Sequence, residues 1–360
     1  MILKNFFVHT RSVRFIKIGL VLSIILPLVS CSGDDDDDLV GNWVKLSDFN
    51  GVPRTSATGV AVGTLGYMGT GLDSNDDRLT DFWTYDADRD QWSQIADFPG
   101  AARTNAVSFA ADDKLYVGTG FDGTVKVRLK DFYEYDPSSN AWTQIADLQS
   151  DNVNSPDVVG REGAVAFTLN DVGYVGCGTD GDGNILKDFY AYDPSTQAWA
   201  EKTAIGGSKR TDAVAFVISD EAYVATGINN GTYVSDFWKY NATDDSWTKL
   251  RSITDATDDD FDDDYDDIVR NNGVAFTSGG KGYVATGGKN SSGAVVWEYN
   301  PSTDLWVEKT GFEGSSRYNA VAFTINDMGY VTTGQNSSYY FDDIWRFDPN
   351  AEQDDDDNGN

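Results

Sequence analysis

The chain repeats itself six times. Arg54, Arg103, Arg161, Arg210, Arg270 and Arg317 each open a unit, and Trp43, Trp92, Trp142, Trp199, Trp247 and Trp306 mark its outer end. The interval is about 50 residues, the period of propeller blades.

Inside one unit the pattern is short and β-like. Ala213-Val214-Ala215-Phe216-Val217 reads as a buried strand, Ser219-Asp220 as a turn and Ala222 to Thr226 as a second strand. A polar loop precedes Asp236-Phe237-Trp238-Lys239-Tyr240, and a turn at Ala242 to Ser246 leads into Trp247 to Leu250. Four short runs bounded by turn residues, with no helical period, predict a four-stranded blade.

The two ends of the array fit each other. Asn42 to Leu46 matches the fourth strand of every unit but has no first three strands before it. The last unit, Arg317 to Pro349, has three strands and no Trp after them. Pairing the two would close the ring and remove the open edges of a linear array. The expectation is an all-β, six-bladed propeller over residues 41–349, its last blade completed by residues 42–46.

The first thirty residues stand apart. Lys4, Arg11, Arg14 and Lys17 precede an apolar run, Ile18 to Val29, too short for a membrane span. This reads as a secretory signal. Leu28-Val29-Ser30-Cys31 resembles the lipobox of bacterial lipoproteins, which implies a lipid on Cys31. Residues 31–40 are an acidic tether containing Asp34 to Asp38, extended by its own repulsion. Acids just after such a Cys resemble the surface-export signals of Bacteroidetes-type lipoproteins. The expected place is the outer membrane, lipid-anchored and surface-exposed, with the periplasmic face as the alternative. Residues 350–360 read as a disordered acidic tail.

Charge and composition exclude several functions. The formal net charge is −31, and the basic start holds four of the 27 Lys and Arg but none of the 58 acids. Nucleic acid and anionic lipid surfaces would be repelled. The one His, His9, lies in the signal, and a disulfide between Cys31 and Cys177 conflicts with lipidation of Cys31. No imidazole remains for zinc, copper or a Ser-His nucleophile. A monomer is expected.

The repeat resembles the Kelch motif, an aromatic followed by a glycine pair, then Trp-x-Tyr-Asp-Pro, then Trp. It stands here as Tyr174-Val175-Gly176-Cys177-Gly178, Tyr190-Ala191-Tyr192-Asp193-Pro194 and Trp199. The first Gly of the pair is replaced by Thr70, Thr119, Cys177, Thr226, Thr286 and Thr333, while Gly71, Gly120, Gly178, Gly227, Gly287 and Gly334 remain. Thr suits a strand end, and the retained Gly suits a turn with positive φ. Galactose oxidase shares such blades, but its copper chemistry needs His, which the mature chain lacks.

Four groups of residues are candidates for a site. The six arginines could ring the channel mouth and hold a carboxylate or sugar acid. An Asp precedes the third strand in five blades (Asp81, Asp131, Asp188, Asp236, Asp343), so a structural Arg–Asp pair is the favoured reading. Blade five has Val295 there, which makes Arg270 the atypical member. Asp73, Asn75, Asp77 and Asp81, and again Asp180, Asp182, Asn184 and Asp188, have a 1, 3, 5, 9 oxygen spacing that suits Ca²⁺, or simply a turn. No other cofactor is expected. Aromatics in the loops, Phe121, Tyr233, Tyr339, Tyr340 and Phe341, with Phe261 and Tyr265 of an insertion, could stack on sugar rings. Glu162 is the one Glu directly after a repeat Arg.

The connection from Trp to the next Arg spans 11 positions in four cases, 19 from Trp142 to Arg161 and 23 from Trp247 to Arg270. Both insertions are expected on the face carrying the loops between second and third strands, where binding usually lives. The reading is a non-enzymatic envelope lipoprotein binding a glycan or an envelope protein through its long-loop face. The alternative is a sugar-acid epimerase or mutarotase similar to the Kelch-type sialic acid epimerases.

Overall fold

The structure is a computed structural model and describes residues 39–152, 157–265, 267–288, 294–354, 356 and 358. The expected signal, Cys31 and the Asp34–Asp38 run lie outside the described residues. No described helix is long and apolar enough to cross a membrane.

Six four-stranded antiparallel sheets form the blades. Blade one is built from Thr58–Val62, Leu65–Gly69, Phe82–Asp86 and Gln91–Ile95. Blades two to five repeat that order. Blade six has Val321–Ile325, Met328–Thr332 and Ile344–Asp348, and Asn42–Lys45 supplies its outer strand. The register pairs Asn42 with Asp348 and Trp43 with Phe347. Leu46 continues the ladder by donating to Ile344 O at 2.9 Å. Trp43 is fully buried, 4.6 Å from the Phe347 ring and 4.8 Å from Phe312. Closure therefore buries a large aromatic as well as pairing an edge.

The blades interlock through one aromatic ladder. In blades two to six the inner-strand Phe lies on the second-strand Tyr of its own blade, as Phe109 does on Tyr116 at 4.9 Å and Phe276 on Tyr283 at 5.3 Å, while blade one has Val60 there. Its other side meets the next blade, where a glycine, or Ala222 in the case of Phe167, makes room. A Cβ on Gly173 would stand 2.1 Å from Phe109, and one on Gly329 would stand 2.2 Å from Phe276.

Threonine after the second strand departs from expectation. Thr70, Thr119, Thr226, Thr286 and Thr333, and Cys177 in blade three, all sit at φ between 53° and 63°. They are left-handed residues rather than strand ends, and the following Gly is left-handed too. A turn that needs two consecutive positive φ values explains why the Kelch pattern has two glycines there.

Described residues of both insertions reach the outer strand of the next blade. Tyr265 donates to Trp306 O at 3.2 Å and accepts from Trp306 N at 2.7 Å. Ser150 Oγ donates to Glu201 Oε2 at 2.6 Å on the outer strand of blade three. The start of the C-terminal tail is tied in as well: Gly41 N donates to Ala351 O, and Asp354 N to Asn42 Oδ1.

Candidate functional site

The face carrying the Arg–Asp pairs also carries the hairpins between second and third strands. Each repeat Arg is buried. Arg54 makes a fork on Asp81, with NH1–Oδ1 2.7 Å and NH2–Oδ2 2.6 Å, and NH1 also donates to Thr70 O at 3.1 Å. Arg103 repeats this on Asp131, Arg161 on Asp188, and Arg317 on Asp343. Arg210 pairs with Asp236. Burial raises the carboxyls of Asp81, Asp188 and Asp343, but the guanidinium bonds and charge outweigh it and bring all three below the usual range.

Arg270 differs as its missing partner requires. It donates to four carbonyls, of Ile268, Thr286, Val295 and Asp267, at 2.6–3.2 Å. Burial, only partly offset by the charge of Asp267, lowers it to about 10. The six guanidinium groups thus spend most of their donors inside the blades, while Arg161 Nε is buried without a partner.

Just inside this layer lies a ring that sequence reading missed. Ser56 N donates to Asn319 O, Asn319 to Asn272, Asn272 to Asp212, Asp212 to Gly163, Gly163 to Asn105, and Asn105 to Ser56, at 2.9–3.3 Å. The six amides close a circuit around the channel mouth, and every member has φ between 53° and 62°. The signal was available, because the residue two after each Arg is Ser, Asn, Gly, Asp, Asn or Asn, and all but the Ser are types that tolerate left-handed backbone. Beneath the ring the six inner strands line a cavity of about 180 Å³ with Ala, Gly, Val, Ser and Thr.

Two acids meet at this ring. Burial first, and then the nearby charge of Glu162, push Asp212 up to about 6, against a smaller lowering by the Thr211 hydroxyl. Glu162 itself accepts from Arg128 Nε at 2.9 Å and from Asn105 Nδ2 at 3.2 Å. The Glu singled out in sequence is thus Arg-paired, and the perturbed group is its neighbour from the next blade.

The two oxygen quartets do not assemble. Asp73 Oδ1 accepts its own loop amides, Asn75 N at 2.8 Å and Asp77 N at 2.9 Å, and Asp180 Oδ1 does the same for Asp182 and Asn184. Asp81 and Asp188, the fourth members, are held by Arg54 and Arg161.

Most of the candidate aromatics are occupied. Tyr265 is buried in the core. Phe261 lies under Arg251, Phe341 under Arg317, and Phe121 against both Arg78 and Arg128. Tyr233 packs on the core of blades four and five, its hydroxyl 3.4 Å from Gly288 O, and Tyr340 is half-buried. Tyr339 is 67% exposed and Tyr318 36%. Both line a groove of about 670 Å³ between blades five and six, with Asn271, Asn272, Asn336 and Ser338. Gln335 Nε2 donates to the Tyr318 hydroxyl at 2.9 Å.

The fold and repeat define a six-bladed β-propeller carrying a Kelch motif, whose family model matches residues 102–149. Among known proteins the chain is 34% identical over 101 residues to N-acetylneuraminate epimerase of Haemophilus influenzae (strain PittEE), and equally so to that of strain 86-028NP. The match covers 26% of this chain and 26% of each relative, so the chain spans about a quarter of the length of these curated relatives. A solved structure titled "Structure of YjhT" superposes with a TM-score of 0.67 at 19% identity, over 83% of this chain and 95% of that one. That likeness concerns the fold.

Proposed function

We propose that the protein is a glycan-binding propeller of the cell envelope, held by a lipid on Cys31, that takes its ligand on the Arg–Asp face between blades five and six. The observation that carries this reading is the pair of exposed tyrosines, Tyr318 and Tyr339, in a groove otherwise lined largely by Asn, Ser and Gly. Tyrosine faces stack on the apolar face of a sugar ring, and amides and hydroxyls at the margin match its hydroxyls. The test is a glycan-array screen of the soluble chain. Binding lost in both Tyr339→Ala and Tyr318→Ala supports the reading. Binding unchanged in both variants, or none at all, sinks it.

A second reading is favoured by Asp212. A carboxyl poised near neutral pH at the channel mouth suits proton transfer on a sugar acid. The partial likeness to two epimerases points the same way. Following the anomers of N-acetylneuraminate by proton NMR tests it. An exchange rate equal to that without protein removes this reading.

A further inference from the structure

The tyrosine groove between blades five and six holds no charge of its own to offer. Among its described lining residues the one ionisable group besides Tyr318 and Tyr339 is Arg317. Arg317 is buried, and its guanidinium forks onto Asp343, whose carboxyl that bond and charge hold below the usual range against the effect of burial. Its Nε donates to Ser315 O at 3.0 Å, and the Phe312 and Phe341 rings lie 4.9 and 4.0 Å from it. The cation is thus matched and covered before a ligand arrives. Acids stand nearby instead. Strand pairing lines up Tyr318, Gln335 and Tyr340. Burial first, and then the charges of Asp76, Tyr318 and Asp73, raise the Tyr340 hydroxyl, so carboxylates of blade one act on this row.

What the groove does offer is neutral. The half-buried side chains of Asn271 and Asn272 make no hydrogen bond among the described residues. Each amide has two donors and an accepting carbonyl, which suits hydroxyls that donate and accept at once. Gly288 N donates to Asn271 O at 3.2 Å, the place that Leu72, Phe121, Ile228 and Gln335 take in other blades, so bare backbone forms part of the wall. Asn336 Oδ1 accepts from Ser338 N and Tyr339 N, both at 2.9 Å, and so fixes the turn that presents Tyr339.

We propose that the ligand of this groove is an uncharged saccharide, and that sugars carrying a carboxylate are refused. The proposal rests on the glycan-binding reading and adds the charge class of the ligand. A carboxylate entering here would give up water with no described cation to receive it, and would meet the field of a chain whose net charge is −31. A neutral ring gives up only hydroxyl hydration, which the Asn271 and Asn272 amides replace, and gains the face of Tyr339. The groove is thereby set apart from the sugar-acid chemistry read at Asp212.

The probe is a glycan array that carries each backbone in a neutral and a uronic-acid form, read with the full soluble chain at low and at moderate salt. Every hit lost in Tyr339→Ala should be uncharged. Its uronic-acid form should bind roughly tenfold more weakly or worse, and the gap should narrow as salt rises. Asn271→Ala should weaken the neutral hits several-fold. Lys289, next in sequence to Gly288, lies outside the described residues, and Lys289→Ala should leave the neutral hits unchanged. A Tyr339-dependent hit whose acid form binds as tightly or more tightly, whether or not it needs Lys289, overturns the proposal and leaves the glycan reading in place. So do neutral hits unaltered in Asn271→Ala. No hit at all, or hits indifferent to both tyrosine variants, overturns the proposal and the glycan reading together.

Discussion

The carboxyl of Asp212 occupies the space that a side chain at position 163 would fill: a Cβ on Gly163 would stand 2.4 Å from Asp212 Oδ1. The neighbouring blades have Asn105 and Asn272 at the ring position, so the gap left by Gly163 and the acid beside it belong together. The gap admits Asp212 toward Glu162, and that approach is one cause of its raised value.

Asp212 therefore links stability to pH. Its folded value, about 6, lies above the ordinary 3.8. The folded state holds this proton more tightly, so stability falls as pH rises from about 4 to about 6 and stays reduced above that, by about 2–3 kcal/mol. Asp212→Asn keeps a residue that tolerates the left-handed backbone and removes the charge. The variant should match the wild type near pH 4 and exceed it above pH 6, read from denaturant midpoints across that range. A variant less stable at pH 7 would show that the carboxylate is paired instead.

Arg270 and Val295 make a natural comparison with the other five blades. Asp81→Ala leaves the buried Arg54 without its fork and should cost about 3 kcal/mol. Val295→Asp offers Arg270 the partner the repeat provides elsewhere and should be neutral or stabilising by about 1 kcal/mol. Urea denaturation of the two variants checks both. Strong destabilisation by Val295→Asp would mean that the carbonyl cage around Arg270 does not admit a carboxylate.

The sequence carried the fold further than the site for a physical reason. Arg, Asp and Trp recur because each blade needs the same pair and the same core, so periodicity alone exposes them, Val295 included. Closure was legible because Trp43 lacked a blade and the last blade lacked a Trp. The Asp212–Glu162 approach joins two blades through a side chain that is missing at Gly163, and no one-dimensional pattern records that. Tyr265 was read as a loop aromatic because nothing in an acid-rich insertion tells which ring turns inward.

Thr226 tests the left-handed turn. Its φ is 63°, and its Oγ1 is buried without a hydrogen-bond partner. A β-branched residue in that region costs on the order of 1–3 kcal/mol, and the unpaired hydroxyl adds to it. Glycine forfeits about 0.5–1 kcal/mol of chain entropy. Thr226→Gly should therefore stabilise the propeller by about 1 kcal/mol, although a buried side chain is lost. A thermal melt lowered by the substitution would show that the Thr methyl packs well enough to outweigh the strain.

Asp73 separates a cation loop from a self-supported one. Its two oxygens accept the amides of Asn75 and Asp77 and the side chain of Asn75. Burial raises its carboxyl, and these bonds together bring it below the usual range, so the charged form is held by the loop itself. Asp73→Ala removes those bonds and should cost about 1–2 kcal/mol, as the loss of a capping side chain does. The loss should be the same in chelator and in millimolar Ca²⁺, because Asp81 is turned to Arg54 and gives the loop no fourth ligand. A loss that grows when Ca²⁺ is added would show that the wild-type loop gains a bound cation, since a ligand specific to the folded state raises stability with its concentration.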